Sequence, residues 1–227
     1  MIIDYPFLLL ALLLLFFPRQ WLRFGRAATR PWRRWRRQRG RRRDPAAIRE
    51  PGDTRLRAAE EFAKPRNYID LLRAFVGALL LLGNAAWGVE PVVALDPAAV
   101  MTGEEAGRLN VWRMALLLVA VLIQFIRYEG RFTLYAPLFF LAGLGFALCG
   151  FYAGLLAVLV AWIINAALPL TPAGFLTAYS LLLFVLGLLF RGMTDLLVVF
   201  AAGVSLLPVL VSLLSRRSLA VFTKRLK

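Results

Sequence analysis

Arg19 to Arg43 reads RQWLRFGRAATRPWRRWRRQRGRRR, a stretch with twelve arginines and no acidic residue. On both sides of it the chain is apolar, in runs long enough to cross about 30 Å of hydrocarbon at about 1.5 Å per residue. Basic segments between apolar ones stay on the cytoplasmic side of a membrane. The arginines therefore set the side on which every other segment emerges.

A chain that is 60% hydrophobic and carries a net charge of +15 is not an ordinary soluble domain. In lipid each backbone N–H and C=O must be paired within its own segment, which leaves helices or a closed barrel. The apolar runs are continuous rather than alternating. The expected fold is an all-α integral membrane protein of about seven transmembrane helices, with the N-terminus outside, the C-terminus inside, and a basic amphipathic arm between the first two helices.

Residues 2–18 form the first anchor. They start acidic at Asp4 and run into Pro18 and Arg19, unlike a cleaved secretory signal, so the anchor is retained. Residues 19–67 are the cytoplasmic arm and its linker, in which Asp53 or Thr54 caps a short helix that Pro65 stops. Residues 68–215 hold six helices: Ile69–Gly88, Val111–Ile126, Phe132–Cys149, one reaching about Leu168, Gly174–Phe190, and Thr194–Leu214 with a kink at Pro208. The division of 132–168 rests on glycines alone. The loop 89–110 has Glu90, Asp96, Glu104 and Glu105 against Arg108, so it belongs outside. The tail, 216–227, has five basic residues and no acidic one and belongs inside. This threading is that of a multi-pass protein of a bacterial-type cytoplasmic (inner) membrane. Thr133-Leu-Tyr135 before Gly143 and Phe146 matches Thr177-Ala-Tyr179 before Gly187 and Phe190, a pattern that a repeated helical hairpin would leave but that chance also produces in so restricted an alphabet.

Within the arm, Trp21, Phe24, Ala28, Trp32 and Trp35 fall on one narrow face at 100° per residue. Arg23, Arg26, Arg30, Arg33, Arg34, Arg36 and Arg37 mostly cover the rest, and Pro31 marks a kink or a new first turn. A basic helix with a tryptophan stripe lies flat in an anionic membrane interface, attracted by about 1 kcal/mol per basic residue. The arm is thus a binding surface for anionic phospholipid headgroups or for an acidic cytoplasmic protein. A solvated topology signal without a specific partner is the simpler reading. Nucleic acid is disfavoured, because the tether keeps the arm at the bilayer.

Asp70 and Arg73 are three residues apart and share a helical face. With Gln124, Glu129 and Asn165, all toward the inner ends of their helices, they form a candidate cytoplasm-facing polar pocket. The simpler alternative gives each a helix–helix hydrogen bond of about 0.6–2 kcal/mol. No ionisable residue falls at mid-depth, where coupling to an ion would place one. At the outer ends, Arg191 and Asp195 are four apart, with Arg113 at similar depth.

Histidine is absent and Cys149 is the only cysteine, which excludes a His/Cys metal cluster and an intrachain disulfide. Cys149 reads as a packing residue. Gly143-Leu-Gly145 lacks the third glycine of a dinucleotide fingerprint. No catalytic residue, metal ligand or cofactor site is assigned. A lipid-modifying enzyme would have only Asp70, Arg73 and Glu129 to work with. The reading that remains is a non-enzymatic scaffold, assembly or accessory subunit that works with other membrane subunits. The alternative is a small transporter, channel or lipid-handling protein.

Overall fold

The computed structural model describes residues 2–18, 54–84, 87–94, 103–128, 132–192 and 195–220. The described chain is helical, with eight helices and two short strand pairings. Strand β1, Ile2–Ile3, leads into α1, Tyr5–Phe16, whose first turn is capped by the Asp4 carboxylate. A short α2, Ala58–Phe62, precedes α3, Pro65–Leu82. Strand β2, Val93–Ala94, then pairs antiparallel with β1. After it come α4, Gly103–Phe125, and a hairpin of β3, Ile126–Tyr128, with β4, Phe132–Leu134. The chain ends in α5, Leu138–Leu148, α6, Phe151–Ala167, α7, Pro172–Arg191, and α8, Leu196–Leu214.

Three helical stretches are long and apolar enough to cross a membrane: Gly107–Phe125, Pro172–Arg191 and Leu196–Leu214. The other apolar helices are shorter than expected, and each has a local stop. Asp4 sets the start of α1, which ends at Phe16 before Pro18. The expected span Phe132–Cys149 is helical only from Leu138, because Pro137 stands at the N-cap and disfavours helical backbone in the residue before it. Phe132 to Leu134 are instead extended, as suits aromatic and β-branched residues. A short helix does end ahead of Pro65, with Lys64 extended between them, and Pro65 also opens α3, where its missing N–H costs nothing. Thr54 caps no helix, since α2 begins after Arg57, and Asp53 lies outside the described residues. The α3 helix stops at Leu82 rather than Gly88, and α4 begins at Gly103, ahead of the expected Val111. The helix α8 runs through Pro208.

The core is built around α5. All eleven of its residues are buried, and it packs against α3, α6 and α8. A helix apolar on every side is stable only when covered on every side. At about 1.5 Å per residue it is roughly 16 Å long, about half a bilayer core. Close approach is what lets it sit there. A methyl group on Gly143 would lie 2.2 Å from the Leu71 carbonyl oxygen of α3, and one on Gly145 would lie 2.2 Å from the Tyr179 hydroxyl of α7. Gly150, at φ +88°, makes the turn into α6 in a conformation that a side chain would strain. Cys149 is buried beside Gly187.

The paired Thr-x-Tyr stretches are not structurally equivalent. Thr133 is in β4 and Tyr135 bridges to Ala220, whereas Thr177 and Tyr179 are inside α7. The hairpin end of the bundle meets its backbone needs without a helix: Tyr135 N–H donates to the Phe125 carbonyl at 2.9 Å, Ala136 N–H to Ala220 at 3.0 Å, and Ala220 N–H to Leu134 at 2.9 Å.

Two glycines test this packing in opposite directions. Gly143→Val is expected to destabilise by about 1–3 kcal/mol, because the backbone it strikes cannot rotate away. Gly203→Ala, with open space around the added methyl, is expected to be neutral or to stabilise by up to about 1 kcal/mol. Thermal unfolding followed by circular dichroism in mild detergent separates the two.

Candidate functional site

The binding residues read from the arm (Trp21, Arg23, Arg26, Arg30, Trp32, Arg33, Arg34, Trp35, Arg36 and Arg37) lie outside the described residues, as does Glu129. What the structure does give is the two attachment points of that arm and the polar side chains that hold them.

The first attachment point is the C-terminal end of α1. The last carbonyls of any helix lack intrahelical donors. Here the Arg73 guanidinium donates to the Phe17 carbonyl through Nη1 and to Gln124 Oε1 through Nη2 at 2.7 Å. Gln124 Nε2 in turn donates to the Leu15 carbonyl at 3.2 Å and to the Phe17 carbonyl at 3.1 Å. Asp70 accepts from Arg73 Nε at 2.9 Å, and the guanidinium lies 5.2 Å above the Phe140 ring of α5. Asp70, Arg73 and Gln124 are 1%, 6% and 7% exposed, so this is a buried hub and not an open mouth. It joins α1, α3, α4 and α5. Because α3 begins at Pro65, Arg73 is about 12 Å along it, two turns in rather than at its edge.

The second attachment point is where the linker re-enters. Leu56 N–H donates to the Leu170 carbonyl at 2.8 Å. Asn165, at the end of α6, donates to the Leu56 carbonyl at 3.2 Å and accepts from Leu170 N–H at 3.0 Å. Asn165 is therefore a clamp on the linker, engaged with backbone groups separate from the Arg73 hub. Beside it Phe62 of α2 packs on Trp162 at 5.0 Å and on Phe139 at 5.5 Å between ring centres. Both attachment points thus belong to the end of the bundle that carries the start of α5, the end of α4 and the end of α6.

Glu61, whose place in a polar linker implied a solvated charge, is instead buried, paired with Lys64 at 2.5 Å, and accepts from Asn67 Nδ2 at 2.9 Å. The signal was available: Asn67 is one turn ahead of Asp70 and shares its face. Of the deeper polar residues, Ser180 donates to the Ala202 carbonyl at 2.7 Å and fastens α7 to α8.

The opposite end of the bundle holds a cleft of about 820 Å³ between residues 83–84 and 88–91 and the ends of α4, α7 and α8 that meet them. Arg191 and Asp195 pair there at 2.5 Å, and Arg113 lines the same cleft. A small gap beside Tyr179 measures about 10 Å³, at most one water. Among the described residues no three His, Cys, Asp or Glu side chains group as a metal site would need. Comparison with protein families, with curated proteins and with solved structures found no match.

The hub makes a stability prediction. Arg73→Met removes the cation paired with the buried Asp70 carboxylate, together with its hydrogen bonds to the Phe17 carbonyl and to Gln124, and is expected to cost about 3–5 kcal/mol. Asp70→Leu/Arg73→Met removes both charges and is expected to be more stable than Arg73→Met alone. Denaturation of all the variants in one detergent measures the difference as a double-mutant cycle.

Proposed function

We propose that this protein is a multi-pass membrane scaffold, an assembly or accessory subunit, whose Arg/Trp arm binds anionic phospholipid headgroups or an acidic partner at the cytoplasmic face. The observation that carries this reading is the double attachment of the arm. Phe17 before it and Leu56 after it are both held by buried side chains at one end of the bundle. The segment between them contains the twelve arginines of 19–43. A bundle that uses buried polar groups to fix both ends of a cationic segment is built to present that segment.

In this reading the chain crosses an inner membrane seven times, with the N-terminus outside and the C-terminus inside. Successive apolar helices alternate in direction, in support of that count. The end of α4 meets the segment leading into α5, where Tyr135 N–H donates to the Phe125 carbonyl. The start of α5, the end of α6 and the start of α7 come together through the ring contacts of Phe62 of α2 with Phe139 and Trp162, and of Trp162 with Phe175. The short helices α1 and α5 cross together with the extended segments that continue them. The filled interior around α5 favours a scaffold over a transporter, which needs a wet path to mid-depth.

Two measurements test the proposal. A cysteine introduced between residues 33 and 43, in a Cys149→Ser background, is expected to resist membrane-impermeant thiol reagents in intact cells and to react once the membrane is opened. Labelling from outside reverses the orientation. Replacing Trp32 and Trp35 together with alanine is expected to weaken binding of a 19–43 peptide to phosphatidylglycerol vesicles by about tenfold or more, through lost apolar burial. Unchanged binding leaves bulk charge as the only attraction.

A further inference from the structure

The cleft at the end of the bundle away from the arm's attachment points has no part in the scaffold reading. Its volume of about 820 Å³ is within the range of small-molecule sites, about 300–1,000 Å³. Its apolar floor includes Leu82, Met114 and Leu197, and its polar groups are the charged Glu90, Arg113, Arg191 and Asp195 with the neutral Asn84 and Asn110. An apolar floor under a charged rim fits an amphiphile better than a wholly polar solute.

The charges at the rim are not equivalent. Arg191 is neutralised by Asp195 at 2.5 Å, and Asp195 also accepts from Leu197 N–H at 2.9 Å. Glu90 is exposed to solvent at the loop. Arg113 is different. It is half-buried, and its guanidinium donates only to neutral acceptors, Asn110 Oδ1 at 3.2 Å and the Val93 carbonyl. Among the described residues no carboxylate pairs with it, and its Nε is buried without a hydrogen-bond acceptor. A half-buried cation held by neutral groups keeps its full charge in a medium that screens it poorly, and such a group favours an incoming anion.

We propose that this cleft binds the phosphate of an anionic amphiphile, with the phosphate at Arg113 and the first carbons of its chains on the apolar floor. Arg113 holds Val93, and through it the β1–β2 pair, so the strands that close the N-terminal end also fix the guanidinium over the cleft. The site is separate from the cationic arm and does not depend on what the arm binds.

The test uses the full chain in non-ionic detergent, with Cys149→Ala and a polarity-sensitive dye on Leu196→Cys, an exposed position that lines the cleft. Dihexanoyl phosphatidate is expected to shift the dye saturably. Dihexanoylglycerol, with the same chains and no phosphate, is expected to bind at least about tenfold more weakly, the value of one charge-assisted hydrogen bond. Arg113→Gln is expected to weaken phosphatidate about tenfold and to leave dihexanoylglycerol unchanged. Arg113→Lys is expected to lose less. Glycerol 3-phosphate distinguishes the sources of the anion: much weaker binding than phosphatidate assigns the site to lipid, and equal binding assigns it to a soluble phosphate ester. Equal binding of phosphatidate and dihexanoylglycerol overturns the proposal without any substitution at Arg113. So does a folded Arg113→Gln protein that binds phosphatidate as before.

Discussion

Two carbonyl oxygens at the end of a short helix govern this structure. The helix α1 stops at Phe16, and the oxygens of Leu15 and Phe17 face protein rather than water. An unmet carbonyl in such a setting costs several kcal/mol. Arg73 and Gln124 meet both, and Asp70 balances the charge that Arg73 brings. Burying an ion pair is expensive in itself. Here it gains a fixed geometry, because the same guanidinium also contacts Phe140 of the central helix. One side chain thereby sets how α1, α3, α4 and α5 stand relative to one another.

The second constraint is steric. Between helices in lipid there is little hydrophobic drive, so close packing must supply the attraction. The helix α5 achieves it with small residues on more than one face: Gly143 against the α3 backbone and Gly145 against Tyr179 of α7. On the outside the chain shows lipid-compatible side chains such as Leu181, Leu189 and Leu213. The interior is therefore solid where a transport path would run, and open space gathers at the end of the bundle where Arg113 sits.

Much of this was legible in the residues. Continuous apolar runs implied helices, and the spacing of Asp70 and Arg73 placed them on one face, where they pair. Gln124 belonged with them because it stands at the end of its helix, as they stand in the arm-side half of theirs. Helix ends were harder to read. Pro137 and Pro65 act through their local backbone, and hydropathy cannot tell a proline that ends a helix from one that begins it. Asn165 is grouped with Asp70 by depth alone, yet it serves a linker more than a hundred residues away in the chain, |i−j| of 109, a contact no local pattern reveals. The cleft was invisible for the same reason: it is enclosed by segments distant in sequence, and only the similar depth of Arg113, Arg191 and Asp195 hinted at it.

The way α1 is fastened also bears on how the protein is made. Its first residues pair with Val93 and Ala94, the Asp4 N–H donates to the Val92 carbonyl at 2.9 Å, and its last carbonyls wait for Gln124. Translation delivers those partners long after α1 itself, at about 5–20 residues per second. During that interval α1 is without the groups that later complete its ends, so it is made well before it can dock.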